Sequence, residues 1–241
     1  MKYLLSIIMI LILTAGSLPA QDRPEIKAGA DLVSRYIWRG FDIGSAPGLQ
    51  PAISGAYKGL SLGVWGAYAL SNESSGVDEI DGWLSYTISL KGIAVSALVT
   101  DYYYPNLGGD TADSQNDLFN YADSGGAHIL EAGLQIAGPR RVGVKFSAYY
   151  NFRNEPGNCT YFELSYRAAF NSVALDLFAG ATGGSVKNPA FYQSEDFSFI
   201  NVGVGVTKQI PLGESFDLPL FIRFIINPAI EKAYLIGGIS L

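Results

Sequence analysis

Histidine and cysteine are almost absent from this chain: one of each, His128 and Cys159, in 241 residues. A single cysteine cannot close an internal disulfide, and one His with one Cys cannot furnish a zinc site of the usual kind. Charge is sparse as well. Charged residues make up 16% of the chain, against about 25% in ordinary soluble domains. The balance is acidic, with 22 Asp and Glu against 16 Lys and Arg, which argues against a general nucleic-acid binder. Beyond the N-terminus no unbroken apolar run reaches the ~18 residues of a membrane-crossing helix. A chain that is 49% hydrophobic without such a run is either a soluble β protein or a membrane barrel.

Residues 1–20 read as a secretory signal. Lys2 supplies the positive start, Leu4 to Leu13 is apolar except for Ser6, and Ala15 to Ala20 is a small-residue exit with cleavage expected after Ala20. The residue after that point is Gln21 rather than cysteine, so no lipoprotein is expected. Cleavage would remove one of the 16 cations, Lys2, and none of the 22 anions, leaving a net charge of about −7 on residues 21–241.

From Ile26 onward, runs rich in Val, Ile, Tyr, Phe, Leu and Gly alternate with turn signals. The expected strands are 26–39, 49–58, 60–70, 78–90, 93–104, 127–137, 141–152, 159–170, 173–182, 196–209, 217–227 and 231–241. Their connections alternate in kind. Lys58-Gly59, Lys91-Gly92, Gly138-Pro139-Arg140, Asn171-Ser172 and 210–216 are tight; 40–48, 71–77, 105–126, 153–158, 183–195 and 228–230 are mostly longer and polar, the last being short. Short turns at one end and long loops at the other is the layout of an outer-membrane barrel. The fold expected is therefore all-β: a transmembrane, antiparallel, up-and-down barrel of about twelve strands.

Successive side chains on a strand point to opposite faces. One parity holds Leu32, Tyr36, Trp38, Leu62, Val64, Leu84, Ile88, Leu134, Phe146, Leu164, Val204, Ile222 and Leu235 among others, with charges only near strand ends. The other parity holds Asp31, Arg35, Arg39, Asp81, Glu131, Lys145, Glu163, Arg167, Asp176 and Arg223, diluted with Gly, Ala and Ser. Lys or Arg facing lipid at mid-depth costs roughly 2–4 kcal/mol, so this segregation is what a bilayer demands. Turned inward, Val and Leu would only poorly fill a twelve-strand barrel whose backbone diameter is about 24 Å. The apolar parity is accordingly expected to face lipid, with Tyr36, Trp38, Tyr68, Tyr103 and Tyr150 in an aromatic girdle at the loop end.

The segment Ser34-Arg-Tyr-Ile-Trp-Arg-Gly40, then Gln50-Pro51, then Leu62-Gly-Val-Trp-Gly-Ala-Tyr68 resembles the first hairpins of the TorF-type porin family, also labelled Gcw_chp. The resemblance covers roughly the first fifty residues after the signal. It implies an outer-membrane barrel with a pore role, and it supplies neither a solute nor catalytic residues.

Candidates for chemistry are few. His128 has no Ser beside it on its own face, so an interfacial role is expected of it. Asp78-Glu79 and Glu195-Asp196 read as solvated loop charges, and Asp110, Asp113, Asp117 and Asp123 match no defined calcium loop. No catalytic residue, metal or cofactor is expected. The remaining site is the lumen, where Arg35, Arg39, Lys145, Arg167 and Arg223 are expected to face Asp31, Asp81, Glu131, Glu163 and Asp176 and to set the field felt by a small solute. Two outcomes stay open: an open charged pore, or an internal network of the same groups that closes the lumen. A competing function is a structural or partner-binding barrel acting through its outer loops, 105–126 above all. The expected partners are outer-membrane lipid and small solutes, with no nucleic acid; the oligomeric state is left open.

Overall fold

A computed structural model describes residues 23–71, 78–105, 118–122, 126–139, 141–155, 157–214 and 216–241. The signal segment 1–20 and the loop aspartates Asp110, Asp113, Asp117 and Asp123 lie outside the described residues. The strands are β1 (Glu25–Val33), β2 (Tyr36–Trp38), β3 (Phe41–Gly44), β4 (Gly48–Tyr57), β5 (Leu60–Ala69), β6 (Glu79–Leu90) and β7 (Ile93–Tyr103). They continue with β8 (His128–Ala137), β9 (Val144–Arg153), β10 (Thr160–Phe170), β11 (Val173–Thr182), β12 (Ser198–Pro211), β13 (Asp217–Asn227) and β14 (Lys232–Ser240). One helical turn, α1 (Pro189–Tyr192), lies between β11 and β12.

Twelve of these strands close into an antiparallel transmembrane barrel in which β1 pairs with both β4 and β14. Strands β2 and β3 form a separate two-stranded hairpin. The expected first strand, 26–39, is therefore two structures. Barrel pairing of β1 stops at Val33, and the chain then leaves the wall through Ser34-Arg35 into β2. The other eleven strands fall within three residues of expectation at each end.

Register follows side-chain parity. Leu62 faces Leu84 across β5 and β6, Leu164 faces Phe146 across β9 and β10, and Ile222 faces Val206 across β12 and β13. Ile26, Leu62, Leu84, Leu164 and Leu235 are exposed on the outer surface. This belt cannot be left in water at such area, and it matches a hydrocarbon surround. The opposite parity carries bulky aromatics over glycine. Trp83 lies across Gly63, where a Cβ would come within 2.8 Å of the Ile53 carbonyl and meet the indole. At Pro51 the β4–β5 ladder skips two residues, because Pro has no N–H to give it.

The two-residue turns explain how the hairpin forms. Lys58-Gly59 has φ of 49° and 86°, Lys91-Gly92 has 51° and 86°, and Arg39-Gly40 has 47° and 84°. Positive φ at both central residues is the hairpin geometry that matches strand twist. A basic residue followed by Gly thus turns the chain three times. Twice this happens at the barrel edge, and once inside it.

Candidate functional site in the barrel lumen

The β2–β3 hairpin folds inward from the loop end of β1 and crosses the lumen. At its base the Arg35 Nη1 lies 3.1 Å from the Asp42 carboxylate, joining its two limbs. Tyr36 packs on Trp65 of β5, with ring centroids 5.4 Å apart. The Tyr36 and Tyr104 hydroxyls donate to Glu79 on β6. At the tip, Gly40 is pressed against the Ile200 backbone, which leaves no room for a Cβ. The Gly40 carbonyl accepts from Asn227 Nδ2 on β13 at 3.2 Å.

Arg39 at the tip is the centre of the site. Its Nη1 donates to Glu131 Oε2 at 2.6 Å and its Nη2 to Glu131 Oε1 at 2.8 Å. Nη1 also donates to the Tyr192 hydroxyl at 2.6 Å, and the Tyr102 hydroxyl donates to Glu131 Oε1 at 2.8 Å. The guanidinium carbon sits 4.6 Å from the Trp38 ring, 4.6 Å from Tyr149 and 4.4 Å from Tyr161. A fork-to-fork pair enclosed by aromatic faces is a geometry that only Arg can fill, because Lys offers a point charge rather than a plane. The Glu131 side chain is 1% exposed and that of Arg39 10%.

Apolar packing completes the plug. Phe41, Cys159, Tyr161, Tyr192 and Ile200 form a buried cluster with Trp38, Ile43, Tyr149, Phe191 and Ile230 around it. Tyr192 is delivered by α1, and its ring stacks on Trp38 with centroids 5.8 Å apart. Burial pushes the Tyr192 phenol above its ordinary pKa, so it stays a hydrogen-bond donor or acceptor rather than a charge. The loops that hold α1 are tied by Glu155, which accepts from Gly157 N at 2.9 Å, Cys159 N at 2.6 Å and Asn188 Nδ2 at 2.6 Å.

The plug divides the lumen. A chamber of about 520 Å³ opens at the loop end, lined by Trp38, Phe41, Asp42, Phe191, Lys232 and Tyr234 among others. A second, of about 360 Å³, lies at the turn end beneath Arg39, with Lys145, Glu163, Arg167, Asp176, Asn201 and Arg223 on its wall.

The expected lumen residues thus separate into groups. Arg39 and Glu131 meet; Arg167 and Asp176 meet at 3.2 Å. Arg35 pairs with Asp42, which was not among the expected anions. Asp31 points inward beside Gln50, and Asp81 is buried two residues from Glu79. Glu163 accepts from the Tyr161 hydroxyl at 2.6 Å and from Asn201 Nδ2 at 3.2 Å.

Three expectations are corrected. Arg35 and Arg39 do not share the face of β1 with Asp31, because the wall strand has ended before them. Tyr36 and Trp38 belong to the plug and not to an outer girdle. Glu79 is 1% exposed inside the barrel rather than a solvated loop charge. His128 stands at the loop end of β8, where an interfacial residue was expected, and is 2% exposed. Its ring lies between Tyr103 and Tyr121, its Nδ1 is 2.8 Å from Asp101, and its Nε2 is 2.9 Å from the Leu118 carbonyl. With both nitrogens engaged, it has no free base to offer a nucleophile.

The cage residues Tyr102, Tyr149, Tyr161 and Tyr192 were not picked out from sequence. The available signal was the repeat of a basic-Gly pair, Trp38-Arg39-Gly40-Phe41 against Tyr57-Lys58-Gly59-Leu60.

Comparison with known proteins supports the architecture. No family model and no curated protein matches the chain. A solved structure from work headed "Unveiling the Mechanism Behind the in-meso Crystallization of Membrane Proteins" is similar, with 11% identity, a TM-score of 0.50, and coverage of 91% of this chain and 83% of that one. At that identity the likeness speaks for the fold.

Proposed function

We propose that this chain is an outer-membrane barrel of the TorF porin type, passing small solutes along a route that the β2–β3 hairpin closes at rest. On this reading the turn end faces the periplasm, the loop end faces outside, and residues 1–20 direct export. No catalytic step is assigned to it. The observation that supports the reading is the arrangement of the plug: one buried ion pair, Arg39 with Glu131, separates two water-accessible chambers. Solute flow then requires the hairpin to swing out through the loop end, where its two connections to the wall lie. Passive flow through a permanently open pore, one of the two outcomes expected from sequence, is not what this geometry favours.

A second reading keeps the plug permanent and gives the barrel a structural or partner-binding role. Its support is how fully Arg39 is satisfied, with a carboxylate, a phenol and three ring faces. Planar-bilayer recording separates the two. The refolded native barrel should show small or infrequent openings. A variant with 36–44 replaced by a short Gly-Ser link should conduct steadily. A folded deletion variant that passes no current would sink the channel reading and leave the closed barrel.

A further inference from the structure

We propose that the chamber at the turn end is a binding site for a small anion bearing a phosphate or carboxylate group. The proposal rests on the conduit reading and narrows it to a class of solute. Three cations from three strands converge there: Lys145 on β9, Arg167 on β10 and Arg223 on β13. Two carboxylates, Glu163 and Asp176, share the same wall, so the three cations exceed them by one charge. Glu163 is held by Tyr161 and Asn201, and Glu131 neutralises Arg39 in the roof. Asp176 answers only Arg167, with both side chains partly open to water. Among the described residues Lys145 and Arg223 have no ion pair; the Arg223 guanidinium lies over the Phe221 ring at 4.8 Å.

A guanidinium fork matches the oxygens of carboxylate or phosphate, and Lys145 adds a flexible point charge. Ser165 on the same wall supplies a neutral hydroxyl. The volume, about 360 Å³, lies within the range of small-molecule sites. The loop-end chamber is different in kind. It carries one cation, Lys232, one anion, Asp42, and otherwise mainly aromatic and aliphatic walls. An anion is therefore held on one side of the plug only.

The test is calorimetric titration of the refolded full barrel in detergent with inorganic phosphate at low ionic strength. Saturable binding is expected, weakened about tenfold in Arg223→Gln, as loss of one charge-assisted hydrogen bond implies. The Lys145→Gln/Arg223→Gln double variant should abolish it. Arg223→Lys should retain part of it, and Lys232→Gln, in the other chamber, should leave it unchanged. The mobility difference between heated and unheated samples on gels verifies that each variant is folded. Absence of saturable binding, or equal binding by the double variant, or equal loss in Lys232→Gln, overturns the proposal. The isotherm needs no ion flow. Binding by a barrel that stays silent after hairpin deletion sinks the conduit reading and spares the site; current without binding does the reverse.

Discussion

Replacing Arg39 by Met removes the guanidinium but keeps an unbranched side chain of similar reach. The Glu131 carboxylate, 1% exposed, would be left with the Tyr102 hydroxyl alone. Breaking a buried pair by deleting one partner costs about 3–5 kcal/mol. Three ring faces, at 4.4 to 4.6 Å from the guanidinium, lose their cation as well. The twelve-strand wall does not depend on this contact, so the loss falls on the hairpin. The population with the hairpin released should rise about a hundred- to several-thousand-fold. Hydrogen exchange at 36–44 measures this directly, as a fall in protection of that size with the β6–β8 amides unchanged. A second substitution, Glu131→Leu, removes the stranded charge, and the double variant should regain most of the protection, because an apolar pair can replace a buried ion pair. Equal protection in the native chain and in Arg39→Met, or no recovery in the double variant, would refute the idea that this pair holds the plug.

Other outcomes follow from the same geometry. Leu84→Arg, at the middle of β6 on the outer face, should destabilise the folded barrel in lipid by roughly 2–4 kcal/mol. Ser85→Arg, one residue on and facing the lumen, should cost far less; urea titration in vesicles compares the two. Cys159 is 2% exposed, and burial, with Glu155 beside it, pushes its thiol up to about 12. Because the pKa is raised, the reactive thiolate is suppressed at every pH below that value. Maleimide at pH 7–8 should label Cys159 only after denaturation, and labelling of the folded barrel at the rate of a free thiol would contradict the packing around α1. Deleting 36–44 should turn a nearly silent barrel into a steady conductor in planar bilayers.

How far the sequence could be read depended on which forces act locally. A strand whose two faces meet lipid and water shows its parity in every second residue, so eleven of the twelve wall strands and their inward charges were legible. The first was not. Tyr36, Ile37 and Trp38 are good strand formers, and they continue the alternation of β1 without a Gly or Pro to mark the break at Ser34-Arg35. Parity says only that Arg39 avoids lipid. It does not distinguish a residue on the inner wall from one on a hairpin suspended in the lumen, because both environments exclude hydrocarbon. Glu79 was misjudged for a related reason: two acids at a strand end look solvated until Tyr36 is known to arrive from the plug and cover one of them.

By itself, then, the order of residues determined the barrel, its strand number, the lipid-facing surface and the set of charges kept from lipid, all of which follow from a two-residue period and the cost of a charge in hydrocarbon. Only the tertiary structure decided that the lumen is divided, since Arg39, Glu131 and Tyr192 are separated by 92 and 61 residues along the chain. No local pattern records a meeting over such distances. It exists because a wide ring of strands encloses more space than its own side chains can fill, and the hairpin and α1 occupy the remainder.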